Sequence, residues 1–233
     1  MIPGRRAMAS GGNIRRGAVV FDLDGTLVDT SGDIVAAINH VRGGLSLPPL
    51  ATRAVLDEVG FGAAYLIART TDAPDDDALA ARLGEFRRTY REHQGARSAL
   101  YPGVREMLDA LAAEFDLYVL SNKPHEAAVR EIELQGLRDR FRGVWGGGSL
   151  DALKPDPAGV LEALRLSGVG AERGAMVGDM AVDVATGTAA GVSSFLVTWG
   201  FRPSAAAAKG AFVAVDSPSQ LTAEIRRAIP ARA

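Results

Sequence analysis

The sequence predicts an α/β protein, a doubly wound parallel sheet with a small helical domain inserted after the first strand. Three observations predict it. Short apolar runs at Ala18 to Phe21, Leu117 to Leu120 and Ala175 to Val177 each end in polar residues, as buried parallel strands do. Helical periodicities separate these runs from residue 101 onward, and such alternation argues for a sheet covered on both faces. Between about 31 and 98 the apolar positions follow helical spacing alone.

The chain has 233 residues, 47% of them hydrophobic, and a formal net charge of −2. That supports one large domain carrying a small insertion. A near-neutral balance argues against nucleic acid, whose phosphates call for a basic face. With no cysteine, disulfides, thiolate metal sites and cysteine nucleophiles are excluded, which fits a cytoplasmic protein. No apolar run reaches the length of a membrane span. Residues 1–16 hold four arginines among small residues and lack the apolar centre of a signal peptide, so they are read as a frayed leader, with Met8 an alternative start.

In order, Val19-Val20-Phe21 leads into Asp22-Leu23-Asp24-Gly25-Thr26. Residues two apart in extended chain share a face, so Asp22 and Asp24 aim at one volume, and Gly25 permits a sharp turn. Asp29-Thr30-Ser31 offers helix caps before Ile34, Ala37, Ile38 and Val41. Gly43-Gly44 stops that helix. Val55, Leu56 and Val59 suggest a short helix ending at Gly60-Phe61-Gly62, and Ala63, Leu66 and Ile67 continue helically. Asp75-Asp76-Asp77 suits the positive end of a helix through Leu79, Leu83, Phe86 and Tyr90. The predicted division is therefore a core over 17–30 and 99–227 and a helical domain over 31–98.

After Tyr101-Pro102-Gly103, an amphipathic helix carries Val104, Met107, Leu108 and Leu111. The run Leu117 to Leu120 ends in Ser121-Asn122-Lys123-Pro124, followed by a helix through Val129, Ile132 and Leu134. Gly143 to Gly148 reads as a strand and a glycine turn, with no Gly-Lys-Ser/Thr to make a phosphate loop. Leu153-Lys154-Pro155-Asp156-Pro157 opens a helix with Val160, Leu161 and Leu164. Ala175 to Val177 ends in Gly178-Asp179, with Asp183 four residues on. Ser193 to Val197 and Ala211 to Val215 supply the last strands, and Ala205 to Ala208 reads as a loop or weak helix.

Three strands thus end at one sheet edge in Asp22/Asp24, Ser121/Asn122 and Asp179, where doubly wound sheets bind ligands. Several carboxylates, a hydroxyl and one lysine suit phosphoryl transfer, in which cations offset the carboxylates and the transferred group. Asp22 is the candidate nucleophile and Asp24 the acid and base, its pKa raised by acidic neighbours. Mg²⁺ would be held by Asp22, the backbone carbonyl of Asp24, and Asp179. Ser121 and the N–H of Asn122 would bind phosphoryl oxygens. Lys154 would bridge Asp22 and the phosphate, and Asp183 would bond Lys154 or a metal-bound water.

These residues resemble the four motifs of the haloacid dehalogenase superfamily: Asp22-Leu23-Asp24-Gly25-Thr26, Ser121, Lys154, and Gly178-Asp179 with Asp183. The resemblance runs over about 17 to 227 and implies the same site roles, and the helical segment 31–98 corresponds to that family's cap. Tyr101-Pro102-Gly103-Val104, Ser121-Asn122-Lys123-Pro124, Leu153 to Pro157 and Trp199-Gly200-Phe201 resemble phosphoglycolate phosphatase-like enzymes. Those relatives often have Ser or Thr where this chain has Met180. The implied function is a Mg²⁺-dependent phosphatase for a small phosphorylated metabolite, such as 2-phosphoglycolate, working as a monomer or homodimer. Nucleoside monophosphates, sugar phosphates and pyrophosphate are alternative substrates. A phosphomutase resembling β-phosphoglucomutase is a second function, and a non-enzymatic binder a third. Arg69, in the helical segment, is a weaker candidate for a substrate carboxylate. His40, His93 and His125 read as structural or solvated, His125 being the nearest to a motif.

Overall fold

The computed structural model describes residues 15–201 and 210–231. The Ala205 to Ala208 segment and residues 1–14 of the expected leader lie outside the described residues. Arg16 is tied to the core, its backbone N–H donating to Glu114 O at 2.8 Å.

Strand β1 (Ala18–Phe21) is buried throughout and lies at the centre of a six-stranded parallel sheet. Its partners are β4 (Asp116–Pro124) on one side and β6 (Gly174–Gly178) on the other. Beyond them lie β5 (Gly143–Gly147), β7 (Ser193–Val197) and β8 (Val213–Val215), giving the order β5-β4-β1-β6-β7-β8. The chain leaves β1 toward β4 and later returns to its other side through β6. The carboxyl end of β1 is therefore the point where strand order reverses and a crevice opens.

Alternation along the strands supplies two cores, as period-2 geometry requires. Val19 and Phe21 join Leu117, Val119, Ala175 and Val177 on one face. That face is covered by helices α5 (Val104–Ala112), α6 (His125–Leu134) and α9 (Pro218–Ala228). Ala18, Val20, Tyr118, Leu120 and Met176 point the other way, under α7 (Ala158–Ser167) and α8 (Ala181–Ala190).

A two-stranded antiparallel ribbon, β2 (Val28–Asp29) with β3 (Ala99–Leu100), pairs the two ends of the inserted segment. Between them run α1 (Ser31–Gly44), α2 (Thr52–Leu56), α3 (Ala63–Thr71) and α4 (Asp76–His93). Asp75 caps α4 by accepting from Ala78 N. The ribbon is too short to leave a periodic signal and was not expected. The apolar stripes of these helices form a third cluster, which also takes in Met180, Val182 and Phe201 from beyond β6.

One strand differs from expectation. β4 continues past Leu120 through Ser121 to Pro124, where the apolar run had indicated an end. The extra residues pair with β5 after a register shift, Pro124 opposite Gly147. Gly146 makes the close approach possible, since a Cβ there would meet His125 Cα at 2.5 Å.

Candidate active site

The carboxyl ends of β1, β4 and β6 deliver the side chains of the site. Beyond β1 the chain turns at Gly25, with φ +87° and its N–H donating to Val28 O at 2.9 Å. A side chain at Gly25 would also strike Asp179, whose Oδ2 would lie 2.4 Å from a Cβ. The turn leaves Asp22 and Asp24 buried at the edge of the sheet.

Lys154 reaches into this edge from the segment before α7. Its Nζ donates to Asp22 Oδ1 at 2.6 Å and to Asp183 Oδ1 at 2.7 Å. Asn122 holds the lysine backbone at both ends, with Oδ1 accepting from Lys154 N (2.9 Å) and Nδ2 donating to Lys154 O (3.0 Å). Nδ2 also donates to Gly60 O at 2.9 Å, which fastens the helical segment to the sheet. Asp183 anchors the first turn of α8, its Oδ2 accepting from Met180 N at 3.1 Å.

Asp179 sits behind this pair, fully buried. Its Oδ2 accepts from Phe201 N at 2.7 Å, and Trp199 Nε1 donates to Thr26 O at 3.1 Å. The Trp199-Gly200-Phe201 stretch thus braces the turn after β1. Carboxylate oxygens of Asp22, Asp179 and Asp183 lie within 4.8 Å of one another, close enough to hold one metal ion. Counting Asp24, four carboxylates here face two ammonium groups, those of Lys154 and Lys123. The deficit of positive charge and the all-oxygen donor set suit a hard divalent cation.

Burial raises the pKa of Asp22 to about 7; Lys154 opposes the rise, while Asp183 and Asp24 add to it. At Lys154 burial disfavours the charged form, but Asp183 and Asp22 outweigh it and hold the ammonium above the ordinary lysine range.

Asp24 differs from the sequence reading. Acidic neighbours were expected to govern it; instead its Oδ1 accepts from Thr30 Oγ1 at 2.6 Å and from Lys123 Nζ at 2.8 Å. Lys123 also donates to Tyr90 OH at 2.7 Å, and its Nζ lies 4.5 Å from the centroid of that ring. Its pKa is raised because Asp24 and Tyr90 outweigh its burial, while burial pushes the Tyr90 phenol up. Sequence reasoning missed Lys123, Tyr90 and Thr30. Lys123 lies two residues from Ser121 in what proves to be continuous strand, so period 2 would have placed both on one face.

Asp22, Asp24, Ser121, Asn122, Lys154 and Asp183 line one cavity of about 830 Å³ between sheet edge and helical segment, whereas Asp179 does not reach it. Ser121 is buried, and its Oγ accepts from Lys123 N at 3.2 Å. His125 also lines the cavity, and its buried Nδ1 has no partner. Arg69 does not line it; it pairs with Glu58 at 3.3 Å on the surface. His40 pairs with Glu85 at 3.2 Å, also away from the cavity.

Among the described residues, no helix is long and apolar enough to cross a membrane. The chain is 39% identical over 213 residues to a phosphoglycolate phosphatase of Rhodospirillum rubrum, a match covering 88% of each. It is 40% identical over 210 residues to one of Chromobacterium violaceum, covering 88% of this chain and 94% of that protein. A solved structure of a predicted phosphoglycolate phosphatase from Haemophilus somnus superposes with a TM-score of 0.82 at 28% identity, covering 89% of this chain and 97% of that one. The sequence model of the haloacid dehalogenase-like hydrolases matches residues 19–197, a span that takes in Asp22, Lys154 and Asp179 alike. The chain belongs to the haloacid dehalogenase-like hydrolase family.

Proposed function

We propose that the protein is a Mg²⁺-dependent phosphatase that hydrolyses a small phosphorylated metabolite, 2-phosphoglycolate being the substrate its relatives' names favour. The observation that carries the reading is Lys154, buried and bonded to both Asp22 and Asp183 at the floor of the cavity between sheet edge and helical segment. Such an arrangement presents a carboxylate nucleophile and a fixed cation to one phosphoryl group. Asp22, Asp179 and the backbone carbonyl of Asp24 would hold Mg²⁺, with Asp183 beside them. When bound, the ion would offset the carboxylates and the phosphoryl charge.

In this reading Asp22 attacks phosphorus in line, the bond from phosphorus to the substrate oxygen breaks, and an aspartyl-phosphate forms on Asp22. Asp24 gives its proton to the departing oxygen and then takes one from the water that cleaves the intermediate. Thr30 and Lys123 grip one oxygen of Asp24, Oδ1, which leaves Oδ2 to meet the reacting oxygens. Ser121 and the Asn122 N–H bind phosphoryl oxygens, and Lys154 spans Asp22 and the phosphate. The helices over 31–98 act as a cap over the core built from 17–30 and 99–227. The bonds from Asn122 to Gly60 and from Lys123 to Tyr90 support a cap closed onto the core. Closure excludes water from the site.

The test is phosphate release from 2-phosphoglycolate, hexose phosphates, nucleoside monophosphates and pyrophosphate, with Mg²⁺ and with EDTA. The expected result is Mg²⁺-dependent release, fastest from 2-phosphoglycolate. Broad, unselective release would remove the named substrate, and release dependent on a sugar bisphosphate would favour a mutase. Full activity in Asp22→Asn would refute the mechanism.

A further inference from the structure

The floor of the cavity accounts for the phosphate, but its α4–α6 wall is built for something else. Gly84, Arg87, Arg91 and Gln94 line the cavity from α4 and the residue after it, at helical spacing, so they form one stripe. Across from them α6 contributes Arg130. Arg87, Arg91 and Arg130 make no ion pair or hydrogen bond with any described residue. Arg88, between two of them, also lines the cavity but is paired with Glu85. Arginines off the cavity are commonly paired too, as Arg53 is with Asp57 and Arg140 with Asp109.

Like charges four apart weaken a helix, and Arg87 and Arg91 stand at that spacing with no acid to relieve them. Arg87, Arg91 and Arg130 are exposed, as is Glu126, the only acid lining this wall. His125 begins α6 and lines the cavity beside them. The first turn of a helix favours negative charge. The α1–α3 side of the cavity offers the opposite surface, with Ile34, Val59, Ala63 and Leu66. An acidic tail on the substrate therefore has one wall to meet.

We propose that Arg87, Arg91 and Arg130 form a subsite for a second anionic group on the substrate, a carboxylate at the end remote from the phosphate. The proposal rests on the phosphatase reading and adds to it the residues that select the substrate. Guanidinium forks match a carboxylate with paired donors, and a neutral tail would leave them unmet. Arg69, which the sequence offered only as a weak candidate for such a carboxylate, is paired with Glu58.

The experiment compares wild type with Arg91→Gln/Arg130→Gln on matched substrates: 2-phosphoglycolate against ethyl phosphate, and 3-phosphoglycerate against glycerol 3-phosphate. Glucose 1,6-bisphosphate against glucose 1-phosphate asks whether a second phosphate serves as well as a carboxylate. In the wild type, kcat/KM should favour the carboxylate member of at least one pair. In the variant that member should lose roughly tenfold to a hundredfold, mainly through KM, as loss of charged hydrogen bonds predicts. The neutral member should change by less than about twofold. Arg91→Lys/Arg130→Lys should recover part of the loss. Equal loss on both members would mean general attraction of phosphate and would overturn the subsite, as would no loss or a preference confined to the bisphosphate. Those outcomes leave the phosphatase reading standing. No release from any substrate by the wild type would overturn both.

Discussion

Asp22 provides a measurable link between the site and the stability of the chain. Its carboxyl is buried and its pKa rises from 3.8 to about 7. Between those values the folded chain holds a proton that the unfolded chain has released. Raising the pH through that window therefore removes stability, and the loss levels off above about pH 7. The rise is about three pKa units, worth on the order of 4 kcal/mol at about 1.4 kcal/mol per unit. For a chain of this length each kcal/mol moves Tm by about 2–4 °C, so the effect is on the order of 10 °C. Asp22→Asn removes the titration and leaves Lys154 its bond to Asp183. Calorimetry of both proteins in EDTA, from about pH 4 to pH 8, should show the variant gaining on wild type across the window and then holding level. Saturating Mg²⁺ should stabilise wild type most above pH 7 and the variant far less, because the ion needs the ionised carboxylate. A difference between the two that is flat with pH, or that shrinks as pH rises, would refute the assignment of a buried, readily protonated Asp22.

Lys154→Met strips the cation from between Asp22 and Asp183; kcat should fall by about 10²–10³, and stability by about 3 kcal/mol near pH 8, read by phosphate release and urea denaturation. Tyr90→Phe keeps the ring over Lys123 but removes the hydroxyl that accepts from it, so kcat should drop by about tenfold with KM unchanged. A rise in KM with kcat intact would place Tyr90 in substrate binding instead. Gly60→Ala puts a side chain at φ +114° and 2.6 Å from Met180 Sδ, and should lower stability by about 1–3 kcal/mol with a matching loss of activity. Adding Met180→Ala should relieve the contact but not the backbone strain.

Much of the placement was legible because the relevant signals are local. An apolar run that stops at Asp22-Leu23-Asp24-Gly25 states both strand and turn, and Asp179 follows β6 in the same way. The apolar cluster of α1 to α4 follows from helical spacing. What stayed hidden depends on contacts distant in sequence. Nothing near Asp24 announces that its partner is Lys123, 99 residues on, because the pairing arises from the side-by-side register of β1 and β4. Tyr90 satisfies an apolar position by its ring, so periodicity is blind to its hydroxyl. Ser121 to Pro124 look like a loop by composition and extend a strand because Gly146 and Gly147 admit a close neighbour. Met180 read as a missing hydroxyl; the structure shows it filling space beneath Gly60.

The apolar cluster of the four inserted helices is incomplete without Met180, Val182 and Phe201, which belong to other parts of the chain. The insertion is therefore not a transferable module. Grafting residues 31–98 onto another member of the family would carry over the stripes of α1, α3 and α4 but leave behind the side chains that finish their packing. An exchange of specificity between relatives would have to move those three residues with the helices, and a glycine at position 60 with Met180.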